Sequence, residues 1–248
     1  SNGDFSQEGS ELITNGDFAT DSDWSANGWV ISNGQASNTL SGAGHNLFQG
    51  NVTSVGGTFK VLINATISAG SVSVMLGGGT GGYNLIGELS TSGTFDYYGV
   101  SNGTDNRILL QTGNGTLVGS VSIDNVSVVE VGQDWDFGTG WSIGDDVAIH
   151  TGTQSLLSQN NILTIGNIYK ISFDLTGADN FNYARLINSQ YPNGGSYQTD
   201  GTHVIYTSTT ISHLYIYGVG DITIDNISVK EITDDTDLPR INYEGFSY

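Results

Sequence analysis

Apolar and polar residues alternate clearly in one stretch of the chain. From Tyr169 to Thr176 apolar side chains alternate with polar ones, and this period of two is typical of a half-buried antiparallel strand. The stretch Phe59–Ile63 in the first half of the chain matches Tyr169–Phe173 by position. Further strands are predicted at residues 94–100, 107–111, 203–207 and 213–217. The pattern therefore predicts a protein built from strands.

A second pattern indicates that these strands belong to two copies of one domain. Residues 122–128 and 223–229 are both β-branched runs with an Asp-Asn pair at the same place, 101 positions apart. Such a repeat predicts the closing strands of two successive domains. The predicted division is a linker at residues 1–10, domains at 11–131 and 132–232, and, at 233–248, an acidic linker that leads into a further domain.

Composition sets the class of fold. The chain has 36 glycines and two prolines in 248 residues and is rich in Ser, Thr and Asn, which is typical of short strands joined by tight turns. About eight such strands in each copy predict an all-β protein of two tandem jelly-roll β-sandwich domains. All four tryptophans lie near the starts of the copies: Trp24, Trp29, Trp135 and Trp141.

Charge and the lack of cysteine exclude several classes of function. Lys and Arg total 6 against 25 Asp and Glu, for a formal net charge of −19. A field of that sign repels phosphate backbones and anionic lipids, so neither nucleic acid nor a membrane is an expected partner. Without cysteine the chain has neither disulfides nor a thiol nucleophile.

Signals of catalysis are weak. The four histidines show no metal-ligand spacing, and neither a Gly-x-Ser-x-Gly motif nor a phosphate-binding loop follows a strand. We therefore expect no enzyme, with a polysaccharide-degrading enzyme, or an accessory module of one, as a minor alternative.

Several motifs in order carry a family resemblance. They are Asn15-Gly16-Asp17-Phe18, Gly28-Trp29, a glutamine (Gln49 or Gln159) 11 positions ahead of Lys60 or Lys170, and the Ile-Asp-Asn run. In this order they resemble the carbohydrate-binding modules of families 4, 9 and 22, which belong to the galactose-binding-like β-sandwich group. The segment from Leu238 onward is similar to segments of phage structural and tail-fibre proteins, which implies an extracellular or virion-surface location.

The resemblance also implies a structural calcium in each module. Family members hold it between the opening turn and the Asp of the closing strand, which maps to Asp17 with Asp124 in the first copy. In the second copy it maps to Asp134 or Asp136 with Asp225. Carboxylates are ligands that Ca²⁺ prefers. The alternative is that Asp124 and Asp225 only accept hydrogen bonds within turns.

Tyrosines provide the candidate sugar-binding surface, because sugar rings stack their C–H faces on aromatic side chains. In residues 213–217, alternation turns Leu214 and Ile216 toward the core. His213, Tyr215 and Tyr217 then share the opposite face.

The remaining candidates for this surface come from both copies. In the second copy they are Tyr183, Arg185, Tyr191, Tyr197 and Tyr206, with Asp174 or Gln198 as polar contacts. In the first copy they are Tyr83, Tyr98 and Arg107. Exposed tyrosines are also ordinary strand residues, which is the alternative reading for each of them.

These observations predict a non-catalytic protein that binds a polysaccharide or cell-surface glycan through tandem modules, in a phage or extracellular adhesion protein. The alternative is a structural or self-assembling spacer of a virion fibre or surface appendage. Carbohydrate-binding sandwiches and spacers share this fold, so the sequence leaves both open.

Overall fold

A computed structural model describes residues 3–39, 44–113, 119–187 and 195–233. These residues form strands and turns and no helix, which confirms the all-β prediction. No helix long and apolar enough to cross a bilayer occurs in these ranges. The chain divides into two compact units. The first module is Ser6–Gln133, and the second module combines Ser1–Phe5 with Asp134–Tyr248.

The first module is a sandwich of two sheets. Its strands are β1 (Ser25–Asn27), β2 (Val30–Ser32), β3 (Gln35–Thr39), β4 (Asn46–Gln49), β5 (Thr58–Ile67), β6 (Val72–Gly78), β7 (Tyr83–Leu89), β8 (Gly93–Val100), β9 (Asn102–Gly103), β10 (Ile108–Thr112) and β11 (Ser120–Val131). The sheet that contains β11, in the order β2-β3-β11-β5-β8, is called the closing-strand sheet. The facing sheet has the order β1-β4-β10-β6-β7, with β9 paired in parallel to β6.

The second module repeats this arrangement. Its strands are β12 (Asp136–Phe137), β13 (Trp141–Gly144), β14 (Val147–His150), β15 (Ser155–Gln159), β16 (Ile168–Thr176), β17 (Tyr183–Ile187), β18 (Ser196–Tyr197), β19 (Gly201–Ser208), β20 (Leu214–Val219) and β21 (Ile222–Glu231). The closing-strand sheet has the order β13-β14-β21-β16-β19, and the facing sheet the order β12-β15-β20-β17-β18. Equal strand orders in both modules confirm the tandem jelly-roll sandwich.

Alternating burial along the strands builds the core of each module. On β5, Phe59, Val61 and Ile63 are fully buried, while Lys60 and Leu62 face outward. The same alternation on β16 buries Tyr169, Ile171, Phe173 and Leu175. All four tryptophans are buried. Burying one such side chain contributes about 1.5–3 kcal/mol to the free energy of folding. Because the buried residues of β5 and β16 lie in different modules, each module has its own apolar core.

Each closing strand contains a bulge at the Asp-Asn pair. The register of β11 on β5 shifts between Asp124 and Ser127, and Asn125 has a φ of 49°. In β21 the equivalent Asn226 has a φ of 52°. Asn tolerates this left-handed conformation better than most residues, which explains why the pair recurs.

Residues Gly3–Phe5 are part of the second module, whereas the sequence predicted a linker at residues 1–10. The Phe5 ring is 1% exposed and lies 5.3 Å from the Trp135 ring. In the first module Phe18 lies 5.1 Å from Trp24 in the same tilted arrangement. Phe5 therefore occupies the position in the second module that Phe18 occupies in the first.

The backbone contacts of the two segments are also the same. The Gly16 carbonyl accepts a hydrogen bond of 2.9 Å from the Val126 N–H, and the Gly3 carbonyl accepts one of 2.7 Å from the Ile227 N–H. The second module is thus discontinuous in sequence, with the first module inserted between its opening turn and the rest. The predicted linker at residues 233–248 lies, apart from Thr233, outside the described residues.

Replacing Phe5 should destabilise the second module. Phe5→Ala removes a buried ring, and we expect a loss of about 3–5 kcal/mol in the free energy of unfolding. Denaturant titration gives the loss, and hydrogen exchange in β21 and β11 shows which module is affected. Phe181→Ala, at a side chain that is 82% exposed, is the control. Faster exchange in β11 with an unchanged β21 would contradict the assignment of Phe5.

Candidate functional site

The candidate site is the outer face of the facing sheet in the second module. Its middle strand is β20, on which Leu214 and Ile216 are buried in the core. Tyr215 and Tyr217 alternate with them and lie half-buried on the opposite side. The orientation predicted for these four residues from the sequence pattern is therefore the one observed.

Strand register brings an arginine next to these tyrosines. Arg185 on β17 lies opposite Tyr217, and Leu156 on β15 lies opposite Tyr217 on the other side. Tyr183 shares the face of Arg185, because residues two apart on a strand point the same way. Three tyrosines and one arginine therefore share one face of the sheet, which we call the tyrosine face. It is defined by Tyr183, Arg185, Tyr215 and Tyr217.

Arg185 has a polar atom without a partner. Its Nε is buried, and no acceptor among the described residues reaches it. An unsatisfied buried donor costs about 1–3 kcal/mol.

His213 extends the tyrosine face at one end of β20. Its ring stacks on Tyr215 with the centroids 5.4 Å apart and the planes 2° from parallel. Ser158, on β15, lies opposite Tyr215 and adds a hydroxyl to this part of the sheet. Neither Leu156 nor Ser158 was predicted, because only the strand register shows that β15 is the neighbour of β20.

Other predicted residues lie elsewhere. Tyr197 lies opposite the buried Ala184 and therefore turns to the inner side of the sheet, where its ring meets Phe173 edge-on at 5.2 Å. Tyr206 lies on the closing-strand sheet, with the Lys170 ammonium 5.9 Å from its ring centroid. Tyr191 lies outside the described residues. Asp174 is also on the closing-strand sheet, where it accepts a hydrogen bond from Thr202.

The equivalent face of the first module has a different chemistry. Leu109 and Gln111 occupy the positions of Tyr215 and Tyr217, as the shared register shows. Arg107 lies 4.9 Å from the Phe48 ring centroid and 5.8 Å from that of Tyr83, and it forms an ion pair with Asp105. This arginine is already paired, so the first module has a more apolar face and no unpaired guanidinium among these residues.

Tyr98 is the first-module counterpart of Tyr206 and lies on the closing-strand sheet. The Lys60 ammonium is 5.8 Å from its ring centroid. Lys60 also donates a 2.7 Å hydrogen bond to Glu8, which raises the pKa of the Lys60 ammonium above its usual range. In both modules a lysine on one strand thus lies over a tyrosine on the neighbouring strand. This recurrence favours a structural role for Tyr98 and Tyr206.

Acidic side chains converge at the bulge of the second module. Burial and the nearby charges of Asp174, Asp4 and Asp146 raise the pKa of Asp225, although the Asn226 N–H donates to its carboxylate. Hydrogen bonds from Thr202 and Asn226 lower the pKa of Asp174. Carboxylates from three other segments therefore act on Asp225, and we call these four residues the acidic cluster.

The structure places Asp4, rather than Asp134, at the position equivalent to Asp17. Asp134 precedes Trp135, as Asp23 precedes Trp24 in the first module. Asp136 lies on β12 in the facing sheet and accepts a hydrogen bond from Asn160.

The first module has fewer carboxylates at the equivalent place. Asn64 lies opposite Asp124 where Asp174 lies opposite Asp225, and Gly34 replaces Asp146 in the turn. Asp124 accepts a 2.7 Å hydrogen bond from the Asn125 N–H. Asp17 accepts a 3.2 Å hydrogen bond from the Ala19 N–H. In the ranges that the structure describes, no three His, Asp or Glu side chains are already gathered as a metal-binding group.

The fold and this face define a tandem of jelly-roll β-sandwich modules. No protein-family model matches the sequence, and no curated protein matches it. Among solved structures, the N-terminal CBM22-1–CBM22-2 tandem domain from Paenibacillus barcinonensis Xyn10C is 12% identical, with a TM-score of 0.36 over 92% of this chain and 99% of that chain. A CBM4 structure is 13% identical, with a TM-score of 0.29 over 52% and 98%. Allantoicase is 12% identical, with a TM-score of 0.31 over 92% of both chains.

Neutralising Asp225 should stabilise the second module when no divalent cation is present. Asp225→Asn keeps an oxygen that accepts the hydrogen bond from Asn226 and removes the repulsion from the neighbouring carboxylates. The free energy of unfolding should rise by less than about 1 kcal/mol, because the site is partly exposed. Because the folded-state pKa of Asp225 is raised, the repulsion is present at neutral pH and is relieved on protonation. The gain should therefore disappear as the pH falls below roughly 4, the ordinary value for Asp.

Thermal unfolding in a chelating buffer at several pH values measures this effect. The matched control is Asp124→Asn, which has Asn64 and Gly34 as neighbours and should gain less. A gain for Asp225→Asn that grows toward low pH would contradict the assignment.

Proposed function

We propose that this chain is a non-catalytic glycan-binding protein whose second module binds a polysaccharide or cell-surface glycan on the tyrosine face. The observation that supports the proposal is the combination on one sheet face of Tyr215 and Tyr217 with Arg185. Apolar rings and a charged donor on one sheet face suit the stacking and hydrogen bonding of a sugar.

The chemistry of binding follows from these groups. The phenol rings offer flat surfaces for the C–H faces of sugar rings, and the phenol hydroxyls exchange hydrogen bonds with sugar hydroxyls. Arg185 donates to a sugar oxygen and fixes the orientation of the chain of sugars. The net charge of −19 disfavours acidic polysaccharides at long range, so the proposed ligand is a neutral glycan.

The two modules make unequal contributions to this function. The first module lacks the tyrosine pair, and its Arg107 is held by Asp105. Affinity therefore comes mainly from the second module, and many copies of the protein on one surface would raise it through avidity. We place the protein in a phage tail or another extracellular appendage, with further domains of the same polypeptide as neighbours. The resemblance of the segment from Leu238 onward to phage structural proteins supports this location.

We further propose that each module binds a structural Ca²⁺ at its closing-strand bulge. Carboxylates beside backbone carbonyls are the hard oxygen ligands that Ca²⁺ takes. In the second module Asp225, Asp4 and Asp146 would hold the ion, and in the first module Asp17 and Asp124 would hold it. The cation would neutralise the repulsion in the acidic cluster and fasten the opening turn to the closing strand. The larger number of carboxylates favours tighter binding in the second module.

A second candidate function is that of a self-assembling spacer. The equivalent face of the first module exposes apolar side chains, with Leu85 60% and Tyr83 42% exposed and the half-buried Met75 opposite Leu85. Such a face suits contact with another subunit better than contact with a sugar.

Removing the tyrosine face should abolish retention on a polysaccharide gel. Loss of one stacking ring costs about 1–1.5 kcal/mol, roughly a tenfold loss of affinity, so we expect Tyr217→Ala to weaken binding tenfold and Tyr215→Ala with Tyr217→Ala to abolish it. Affinity electrophoresis against a panel of neutral polysaccharides measures the change.

Tyr206→Ala is the matched control, because it removes the same side chain from the other sheet and should leave binding unchanged. Equal retention of the double variant and the unmodified chain would remove the site. A stable oligomer in light scattering that Leu85→Asp dissociates, with no retention on any gel, would favour the spacer.

Calcium should raise the melting temperature of the protein. A cation that binds only the folded state stabilises it by about 2.7 kcal/mol at 100 times its dissociation constant. Melting curves with Ca²⁺ and with chelator measure the shift, and the shift of the second module should be lost in Asp225→Asn and kept in Asp124→Asn. An identical melting temperature with Ca²⁺ and with chelator would refute the metal without affecting the glycan proposal.

A further inference from the structure

An amino-terminal segment of the first module pairs with the closing strand beyond its bulge. Glu8 forms an antiparallel bridge with Val131, and the Gly9 N–H donates to the Glu130 carbonyl over 2.8 Å. The Leu12 N–H donates to the Val128 carbonyl over 3.0 Å. This segment, residues 8–14, is called the strap. It covers the edge of β11 that β3 does not reach.

Side chains of the strap complete the first module. Ile13 is 8% exposed and belongs to the hydrophobic core. The Glu11 carboxylate accepts hydrogen bonds from the Val128 N–H and the Ser127 hydroxyl. The Gln49 side chain accepts from the Thr14 N–H over 2.9 Å and donates to the Thr14 carbonyl over 2.8 Å. The strap is therefore held by backbone pairing, one buried aliphatic side chain and one buried amide.

The second module retains the residues that hold the strap in the first module. Gln159, Ser228, Val229 and Glu231 occupy the positions of Gln49, Ser127, Val128 and Glu130. The opening turn is in place as well, since the Gly3 carbonyl accepts from Ile227. Among the described residues no segment pairs with β21 on the side where the strap covers β11. Val229 is accordingly half-buried, whereas Val128 is fully buried.

A cavity lies where the strap would run. It measures about 300 Å³ and is lined by Gln159, Ile162, Thr164, Tyr169, Val229 and Glu231. The Gln159 side chain is 5% exposed. No hydrogen bond to its amide is present among the described residues, although Gln49 makes two. The backbone of Thr14 meets both ends of the Gln49 amide, so the equivalent Gln159 amide, which lines this cavity, suits a ligand with a backbone N–H and C=O to offer.

We propose that the edge of β21 and this cavity form a strand-addition site for an extended polypeptide segment joined to the amino-terminal side of Gly3. The segment runs antiparallel to β21 and carries the pattern Glu, aliphatic, aliphatic, polar. Its glutamate accepts from the Val229 N–H and the Ser228 hydroxyl. Its second aliphatic residue fills the cavity, and the backbone of the polar residue satisfies Gln159. Unpaired sheet edges bind extended segments in this way.

Covalent connection selects this occupant over a separate peptide. In the first module one residue, Asn15, joins the strap to Gly16, whose carbonyl accepts a hydrogen bond from the closing strand. Gly3 holds β21 in the same manner, so a segment joined to it arrives in the correct register. Linkage also raises its effective concentration to the millimolar range for a short connection.

The test is an extended chain with Gly-Ser-Glu-Leu-Ile placed ahead of Ser1, which puts the isoleucine in the position equivalent to Ile13. Hydrogen exchange at the Val229 amide should slow by roughly tenfold or more, toward the rate of the Val128 amide, which serves as internal reference. The melting temperature of the second module should rise. A matched extension, Gly-Ser-Glu-Ser-Ser, has the same length and charge without the aliphatic residues and should give neither effect.

Further variants keep the test decisive. Gln159→Ala should cancel the gain in the extended chain and leave Val229 exchange unaltered in the starting chain. The proposal is overturned if both extensions protect Val229 equally, or if neither does while Val128 stays protected. It is also overturned if Val229 is already protected in the starting chain, or if deletion of residues 234–248 exposes it, because another occupant then fills the site.

Discussion

In each module the fold depends on one hydrogen bond that joins the opening turn to the closing strand. A glycine carbonyl, from Gly16 or Gly3, accepts from the N–H that follows the Asp-Asn bulge. A Cβ at Gly16 would lie 2.1 Å from the Val126 carbonyl oxygen, and one at Gly3 would lie 1.8 Å from that of Ile227. Only glycine permits this approach. The contact buries the phenylalanine two residues later and brings the intervening aspartate toward the bulge.

This contact explains how the second module tolerates an insertion. The opening turn is held by its hydrogen bond and by Phe5 against Trp135, so it does not need to precede β12 directly along the chain. The first module therefore occupies residues 6–133 between two parts of the second. Chain termini and turns at the surface accept such insertions because few contacts cross them.

The two modules share the same strand order and differ in the side chains on the outer faces of their sheets. On the facing sheet, Tyr217 and Arg185 lie where the first module has Gln111 and Ser73. At the bulge, Asp174 lies where the first module has Asn64. Inward positions keep their apolar character because they pack the sandwich, whereas outward positions are free to change. The proposed glycan and cation sites are both richer in the second module for this reason.

The sequence by itself determined the class of fold, the duplication and the orientation of β20, because strand alternation depends only on the period of two between neighbouring residues. Local alternation was enough to place Leu214 and Ile216 inward and Tyr215 and Tyr217 outward. The tertiary structure alone decided which strands are neighbours. Register put Arg185, already a candidate from the sequence, and the unpredicted Leu156 beside Tyr217, placed Tyr206 on the other sheet and turned Tyr197 inward. It also showed that Asp4 and Phe5, 129 or more positions from Asp134, open the second module. Pairing between distant segments leaves no periodic signal along the chain, so only the folded structure reveals it.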